Sequence, residues 1–420
     1  MTLLAAVGYA HALEGSEAGA QAAQAALNLV GRAPVRLALV IASCEYPIHQ
    51  VFNGVTSLLG DTPLLGFSTT RELTSSGQHQ RSVAVALLAG SDIHARTGWW
   101  PGFSDEGLVG GDTAATSQKL IQDLQPDAQK GALILVGDGL GSEVVNIARQ
   151  ICARLDHQAE PGQPPSQLVL AGCLAGGDLR RGRTYQIGGR QSGSGGLAAG
   201  YISGNIAAGI GVSHGWTSIG VYAKVTRSQG VWVRNLDDCP ASDTYARLFG
   251  YRPREWGLPP LNELVRLYPL GIEIPPENDQ AESGETSYLI RSPLRMESDG
   301  SLRMNAHIPE GSAGFLMVGR AEGCLESAKI AAQQSLDALM STPGKPRPVL
   351  ALVFVDLAWQ LLMQAQPGEE IQAIRSVLGK DVPIVGGYTL GQIARSGPKQ
   401  EPELLNQHIQ VVLFGELEGV

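Results

Sequence analysis

The side chains with chemistry to offer stand at the ends of apolar runs. Asp138 follows the run Ala132 to Val136, and Asp356 follows Val349 to Val355. A carboxylate at the carboxyl end of a buried strand suits an amine, a positioned water or a metal ion, because crevices open outside such ends. It equally suits the next helix as a cap, accepting backbone N–H bonds. A second set belongs to three related stretches: PLLGFSTTREL at Pro63 to Leu73, LAGCLAGGDL at Leu170 to Leu179, and PIVGGYTLGQI at Pro383 to Ile393. Aligned on Gly66, Gly172 and Gly386, they carry Glu72, Asp178 or Gln392 six positions on. Read as a buried strand ending in a glycine turn, the pattern brings a polar side chain back to the strand end. Arg71 and Glu72 lead the candidates for ligand recognition, followed by Asp138, Asp356 and Gln392. Tyr388 and Thr389 could orient a ligand by ring contact and hydroxyl bonding. Because the polar residue differs between copies, a symmetric metal site is not expected.

Other constellations offer less. Cys44 and His49 lie close together at a strand end and Cys173 sits in the second stretch, yet a nucleophilic thiol also needs an oxyanion donor. Neither HExxH nor CxxCH occurs among the scattered histidines, so zinc catalysis has no support. His214, in GVSHGW beside Trp216, could offer a neutral imidazole to haem iron or make an ordinary loop contact. The stretch GGRQSGSGG from Gly188 to Gly196 lacks the GK[ST] of a phosphate loop and reads as a hairpin or flap, with anion binding through Arg190 as the other reading.

The elements that must position these groups repeat. Each glycine stretch has an apolar strand upstream (Val35 to Ala42, Ala132 to Val136, Val349 to Val355) with helical spacing between, so three α/β units are expected. The fold class is α/β, with repeated mixed-sheet units forming two associated domains. A boundary near Ser213 to Ser218 divides the chain into 1–216, with two repeats, and 217–420, with the third. The longest helical pattern, Cys324 to Met340, precedes that third repeat.

At 420 residues, 43% hydrophobic and 17% charged, the chain can bury more than one core and is not a disordered one. A net charge of -9 argues against a nucleic-acid or anionic-membrane partner. Five widely spaced cysteines without CxxC fit a reducing compartment. The first residues lack the basic region of a signal peptide, and no run makes a good membrane span. A cytoplasmic location follows as the expectation.

Over nearly its whole length the sequence resembles the FIST family of intracellular signal-transduction domains. LALVIAS at Leu37 to Ser43, LLGFSTTREL at Leu64 to Leu73 and VSHGWTSIG at Val212 to Gly220 resemble the amino-terminal domain. KVTRSQGVWVRNLDDCPA at Lys224 to Ala241, AGFLMVGR at Ala313 to Arg320, PIVGGYTLGQI and the final NQHIQVVLFG resemble the carboxy-terminal one. The family turn looks like GCSTxGEI; here Arg71 replaces its last glycine, and Gln392 replaces its acid. The resemblance implies a bacterial sensory protein that binds a small ligand such as an amino acid and passes the signal to a separate protein. It also implies an alternative, a haem-dependent nitric-oxide sensor regulating a histidine kinase, with His214 as the haem ligand. A small-molecule hydrolase using an acid and ordered water, and a purely interaction-forming scaffold, are the readings from other classes.

Overall fold

A computed structural model describes residues 3–103, 112–128, 130–139, 143–158, 168–177, 184–252, 267–274, 287–395 and 401–417. The chain forms two compact units. One comprises residues 1–214, 325–404 and 408–420, and the other 215–324 with 405–407.

The larger unit is one plan written three times. The first repeat runs β1 (Leu4–Ala10), α1 (Gly15–Val30), β2 (Val35–Ser43), α2 (Ile48–Leu59), β3 (Leu64–Thr69), β4 (Glu72–Thr74), β5 (Gly77–His79) and β6 (Val83–Ala89). The second runs β7 (Ile93–Pro101), α3 (Thr113–Leu124), β8 (Ala132–Gly137), α4 (Glu143–Gln158), β9 (Val169–Leu174), β10 (Gln186–Gly188), β11 (Gln191–Gly193) and β12 (Gly196–Gly204). The third opens with β13 (Ile206–Ser213), and the smaller unit interrupts it there. That unit holds β14 (Trp216–Gln229), β15 (Trp232–Leu236), β16 (Cys239–Pro240), α5 (Ala241–Leu248), β17 (Leu270–Ile274), β18 (Ser287–Arg291), β19 (Pro293–Met296), β20 (Leu302–Met304) and β21 (Ala313–Gly319). The third repeat resumes with α6 (Ala321–Met340), β22 (Arg347–Asp356), α7 (Leu357–Leu362), α8 (Glu369–Leu378), β23 (Ile384–Thr389), β24 (Gly391–Ala394), β25 (Glu403–Leu405) and β26 (Ile409–Glu416).

The strand β13 opens the third repeat, although it lies ahead of the smaller unit in the chain. It pairs antiparallel with β26 from Ile206↔Glu416 to Ser213↔Ile409.

Three six-stranded sheets share one order: β1-β6-β2-β3-β10-β11, β7-β12-β8-β9-β24-β25 and β13-β26-β22-β23-β4-β5. In each, the central strand is parallel to the strand that carries the motif glycine and antiparallel to the repeat's last strand. The outer hairpin comes from a different repeat. The first sheet receives the second repeat's hairpin, the second receives the third's, and the third receives the first's. The exchange is cyclic and closes.

The central strands read as continuous apolar runs because both faces are covered. On β2, Leu37, Leu39 and Ile41 face the core shared by the three sheets, with Ile134, Val136, Leu352 and Phe354. The alternate residues Ala38, Val40 and Ala42 pack under α1 and α2 with Ala22, Ala26, Val51 and Val55. The space left between the sheets, lined by Leu39, Ile41, Ile134, Val136, Leu352 and Phe354 among others, is an apolar cavity of about 10 Å³, at most the room of one water. The space between these sheets is core and has no room for a ligand larger than a water. The smaller unit is a sheet of order β18-β17-β21-β14-β15-β20-β19 with α5 on it, and its own core includes Val225, Leu236, Tyr245, Leu302 and Leu316.

Candidate functional site

The three motif glycines lie inside strands, where the sequence suggests turns. None has a positive φ; each pairs with the central strand at Val40, Leu135 or Val353. A Cβ at Gly66, Gly172 or Gly386 would lie 2.2, 2.2 or 2.0 Å from the carbonyl oxygen of that partner. The glycine is required by close approach of two parallel strands, and the turn comes three to four residues later.

Counting from these glycines, Ser43, Asp138 and Asp356 are equivalent, as are Thr69, Ala175 and Thr389 opposite them. The turns beyond are tied together around the unit. Gly176 N–H donates to the Ser68 carbonyl at 2.8 Å, Leu390 N–H to that of Leu174 at 3.0 Å, and the Thr69 hydroxyl to that of Tyr388 at 2.9 Å. Each repeat's turn therefore rests on the strand of the repeat whose sheet takes its hairpin.

One residue further along each hairpin is a buried polar side chain that crosses to a neighbouring sheet. The Glu72 carboxylate accepts from the Ser82 N–H at 3.0 Å and its hydroxyl at 2.5 Å. Gln186 Oε1 accepts from Gly196 N–H at 3.2 Å. The Gln392 amide, with its nitrogen toward acceptors and its oxygen toward donors, donates to the His408 carbonyl at 3.2 Å and accepts from the Thr389 hydroxyl at 3.0 Å. All three side chains are fully buried. They sit opposite Gly387, Phe67 and Cys173, equivalent positions of the receiving strands. Gln186 is the second repeat's true counterpart of Glu72. It lies fourteen residues after Gly172 rather than six, so a fixed spacing lands on Asp178, which is outside the described residues.

The remaining candidates divide by location. At the end of the third sheet, Asp356 caps α7 by accepting from Ala358 N–H at 2.9 Å, and it lies beside Thr389 in register. The Thr70 hydroxyl donates to Gln360 Oε1 of the same helix at 2.7 Å. Arg71 follows, half-buried, with Nη1 on the Thr70 carbonyl at 3.2 Å. Asp138 holds the matching place on the second sheet and accepts from Gly195 N–H at 2.8 Å; the adjoining Gly139 approaches Leu390 of the third turn. Arg71, Asp138, Asp356 and Thr389 are thus all at the end of the unit where the turns meet. The Tyr388 phenol is directed elsewhere, donating to the buried Glu370 carboxylate of α8 and to Gln78 Oε1 at 3.3 Å. His214 lies half-buried with its ring edge-on to His408, centroids 4.8 Å apart.

Burial sets the electrostatics. It pushes the Glu72 carboxyl up to about 8, outweighing the Ser82 bonds and the Arg71 charge. It also raises the Glu370 carboxyl against the opposing Tyr388 bond. Among the described residues no three His, Cys, Asp or Glu side chains are grouped to hold a metal ion, and no helix is long and apolar enough to cross a membrane. GGRQSGSGG forms the β10–β11 hairpin, with Arg190 paired to Asp61 at 2.9 Å on the surface. Its glycines make room for an indole: a Cβ at Gly193 or Gly196 would lie 3.0 or 2.4 Å from the Trp99 ring.

Comparison with known proteins agrees with the sequence resemblance. The FIST N domain matches residues 36–238 and the FIST C domain residues 241–395.

The chain belongs to the FIST family.

FIST domains are signal-transduction domains that sense small ligands. The N domain covers the first repeat from β2 onward, the whole second repeat, the opening strand of the third and the first strands of the smaller unit; the C domain covers nearly all the rest of that unit and most of the third repeat. No curated protein matches this FIST chain. Among solved structures it is similar to a cyanuric acid hydrolase from A. caulinodans, with 9% identity, TM-score 0.38 and full coverage of both chains. A second cyanuric acid hydrolase gives 8% identity and TM-score 0.33, covering 99% of this chain and 100% of that one. PurLQS from Thermotoga maritima gives 10% identity and TM-score 0.24, covering 99% and 72%. Likenesses this low carry no argument about activity.

Proposed function

We propose that this FIST protein is a cytoplasmic bacterial sensor that binds a small zwitterionic metabolite of the amino-acid kind where the three turns meet, and reports it to a separate signalling protein such as a histidine kinase. The observation that carries the reading is the asymmetry of three equivalent strand ends: Ser43, Asp138 and Asp356. Beside them, one turn offers Arg71, where the other two have Gly177 and Gly391. Two carboxylates suit an ammonium group, while a guanidinium and neighbouring backbone N–H groups suit a carboxylate. The reading requires one polar molecule to engage both ends of the site at once. Thr389 and Gln392 support the site from beneath: Thr389 stands beside Asp356 in register and Gln392 holds its hydroxyl.

The test is native mass spectrometry of gently purified protein with an amino-acid panel, alongside an absorbance spectrum of the same sample. Arg71→Ala is expected to weaken the retained ligand tenfold or more while costing about 1 kcal/mol of stability at most, because the half-buried side chain makes one hydrogen bond among the described residues, to the Thr70 carbonyl. Unchanged binding in that variant would overturn the assignment. A Soret band in the purified protein would favour the alternative, haem held through His214.

A further inference from the structure

The three side chains that cross between sheets do one job with unequal chemistry. Gln186 and Gln392 are amides, and neither carries a charge at any pH of interest. Glu72 occupies the same place with a carboxyl group. Its Oε2 takes both Ser82 donors, while Oε1, equally buried, has no partner. An anion would leave that oxygen charged, desolvated and uncompensated, whereas a proton on Oε1 leaves only a neutral hydroxyl there, at a smaller cost, with Oε2 as the carbonyl that takes the Ser82 donors.

The surroundings do little to hold a negative charge. In the turn just ahead of its strand the charged neighbour is Arg71, half-buried and turned to the Thr70 carbonyl. Opposite on β5 is His79, whose Nε2 lies 2.7 Å from the Thr74 hydroxyl and which burial and the nearby His11 hold below the usual imidazole range. From β1 come Tyr9, stacked on His79 at 4.0 Å, and His11 beyond it. Ser82 comes from just ahead of β6, and from β23 Gly387 stands opposite. Tyr388 and Glu370 belong to the other face of that strand.

We propose that Glu72 is a proton-carrying latch: as a neutral acid it closes the seam between the first sheet and the exchanged β4–β5 hairpin, and loss of the proton opens that seam. Arg71 adjoins the latch, so opening also moves the turn that carries it. The inference stands whether or not a metabolite binds there.

Hydrogen exchange followed by mass spectrometry over residues 72–83, corrected for the intrinsic pH dependence of exchange, measures the opening. In the wild type the open population is expected to rise about tenfold per pH unit, on the order of a hundredfold between about pH 6 and 8, because opening releases one proton. Glu72→Gln is expected to make the corrected protection independent of pH. A pH-independent wild type overturns the proposal, and so does a Glu72→Gln profile that follows the wild type. Should Glu72→Gln fail to fold, infrared spectroscopy of Glu370→Gln, which removes the other carboxyl that burial raises, decides alone. A protonated-carboxyl band at neutral pH that fades on alkaline titration supports the latch, and its absence refutes it.

Discussion

Replacing Gly386 by alanine tests the reason for the repeated glycine. The new Cβ would sit 2.0 Å from the Val353 carbonyl oxygen, 2.8 Å from its carbonyl carbon and 3.1 Å from its Cα. Every atom in the way is backbone of the neighbouring strand, so no side chain can swing aside. Strands in a sheet are spaced about 4.8 Å apart. Restoring an ordinary contact demands a parting of roughly 1 Å, at the middle of the register from Ala351↔Ile384 to Asp356↔Thr389. Overpacking of this kind costs about 1–3 kcal/mol, and weakening one or two ladder bonds adds about 1 kcal/mol each. The expected loss is therefore about 3–5 kcal/mol, a large part of the roughly 5–15 kcal/mol that holds a typical domain folded. Urea unfolding followed by circular dichroism measures it, with Gly66→Ala and Gly172→Ala expected to behave alike. Gly15→Ala is the reference. Its Cβ would meet only side-chain atoms, at 3.2 Å, at the start of α1, and its cost is expected to stay within about 1 kcal/mol because alanine favours the helix. If Gly386→Ala costs no more than Gly15→Ala, the close-approach reasoning is wrong.

Asp356→Asn separates the two readings of that acid. Asparagine caps a helix about as well as aspartate, so stability is expected to change by less than about 0.5 kcal/mol, while affinity for a cationic ligand group falls tenfold or more by calorimetric titration. Tyr388→Phe removes the phenol bonded to Glu370 and is expected to cost about 1–3 kcal/mol by urea unfolding at neutral pH. The pH dependence has a definite sign. Glu370 is raised by burial above its ordinary value of 4.5, so its contribution is fully present below that value and is lost as pH climbs toward the folded-state pKa. Tyr388→Phe takes away a bond that favours the anion and should enlarge this loss, whereas Glu370→Gln should remove the share of it that Glu370 carries.

Much of the fold is legible in the sequence because buried strands announce themselves. The runs around Leu39, Leu133 and Leu352 are apolar on both faces, and a glycine stretch follows each of them. The cyclic exchange is not legible, since a three-residue strand such as Gln186–Gly188 has too few side chains to show periodicity. Gln186 itself escapes because the second repeat has a longer connection before it. Asp138 and Asp356 are visible as strand-end acids, but whether such an acid meets a ligand or a helix depends on Gly195 and Ala358, which spacing alone does not place beside it. Tyr388 illustrates the limit from the other side: one residue from Thr389 in the chain, it points to the opposite face because strand side chains alternate.

The exchanged hairpin also governs how the protein is made. Glu72 pairs with Gly387, so the ribosome releases β4 long before the strand that will receive it. At roughly 5–20 residues per second, the roughly 300 residues between them keep that hairpin waiting on the order of 15–60 seconds with an edge unpaired. Exposed strand edges recruit other edges. A nascent chain stopped before Ile384 should therefore lean on a chaperone or aggregate through its earliest hairpin, while the finished chain has no such need.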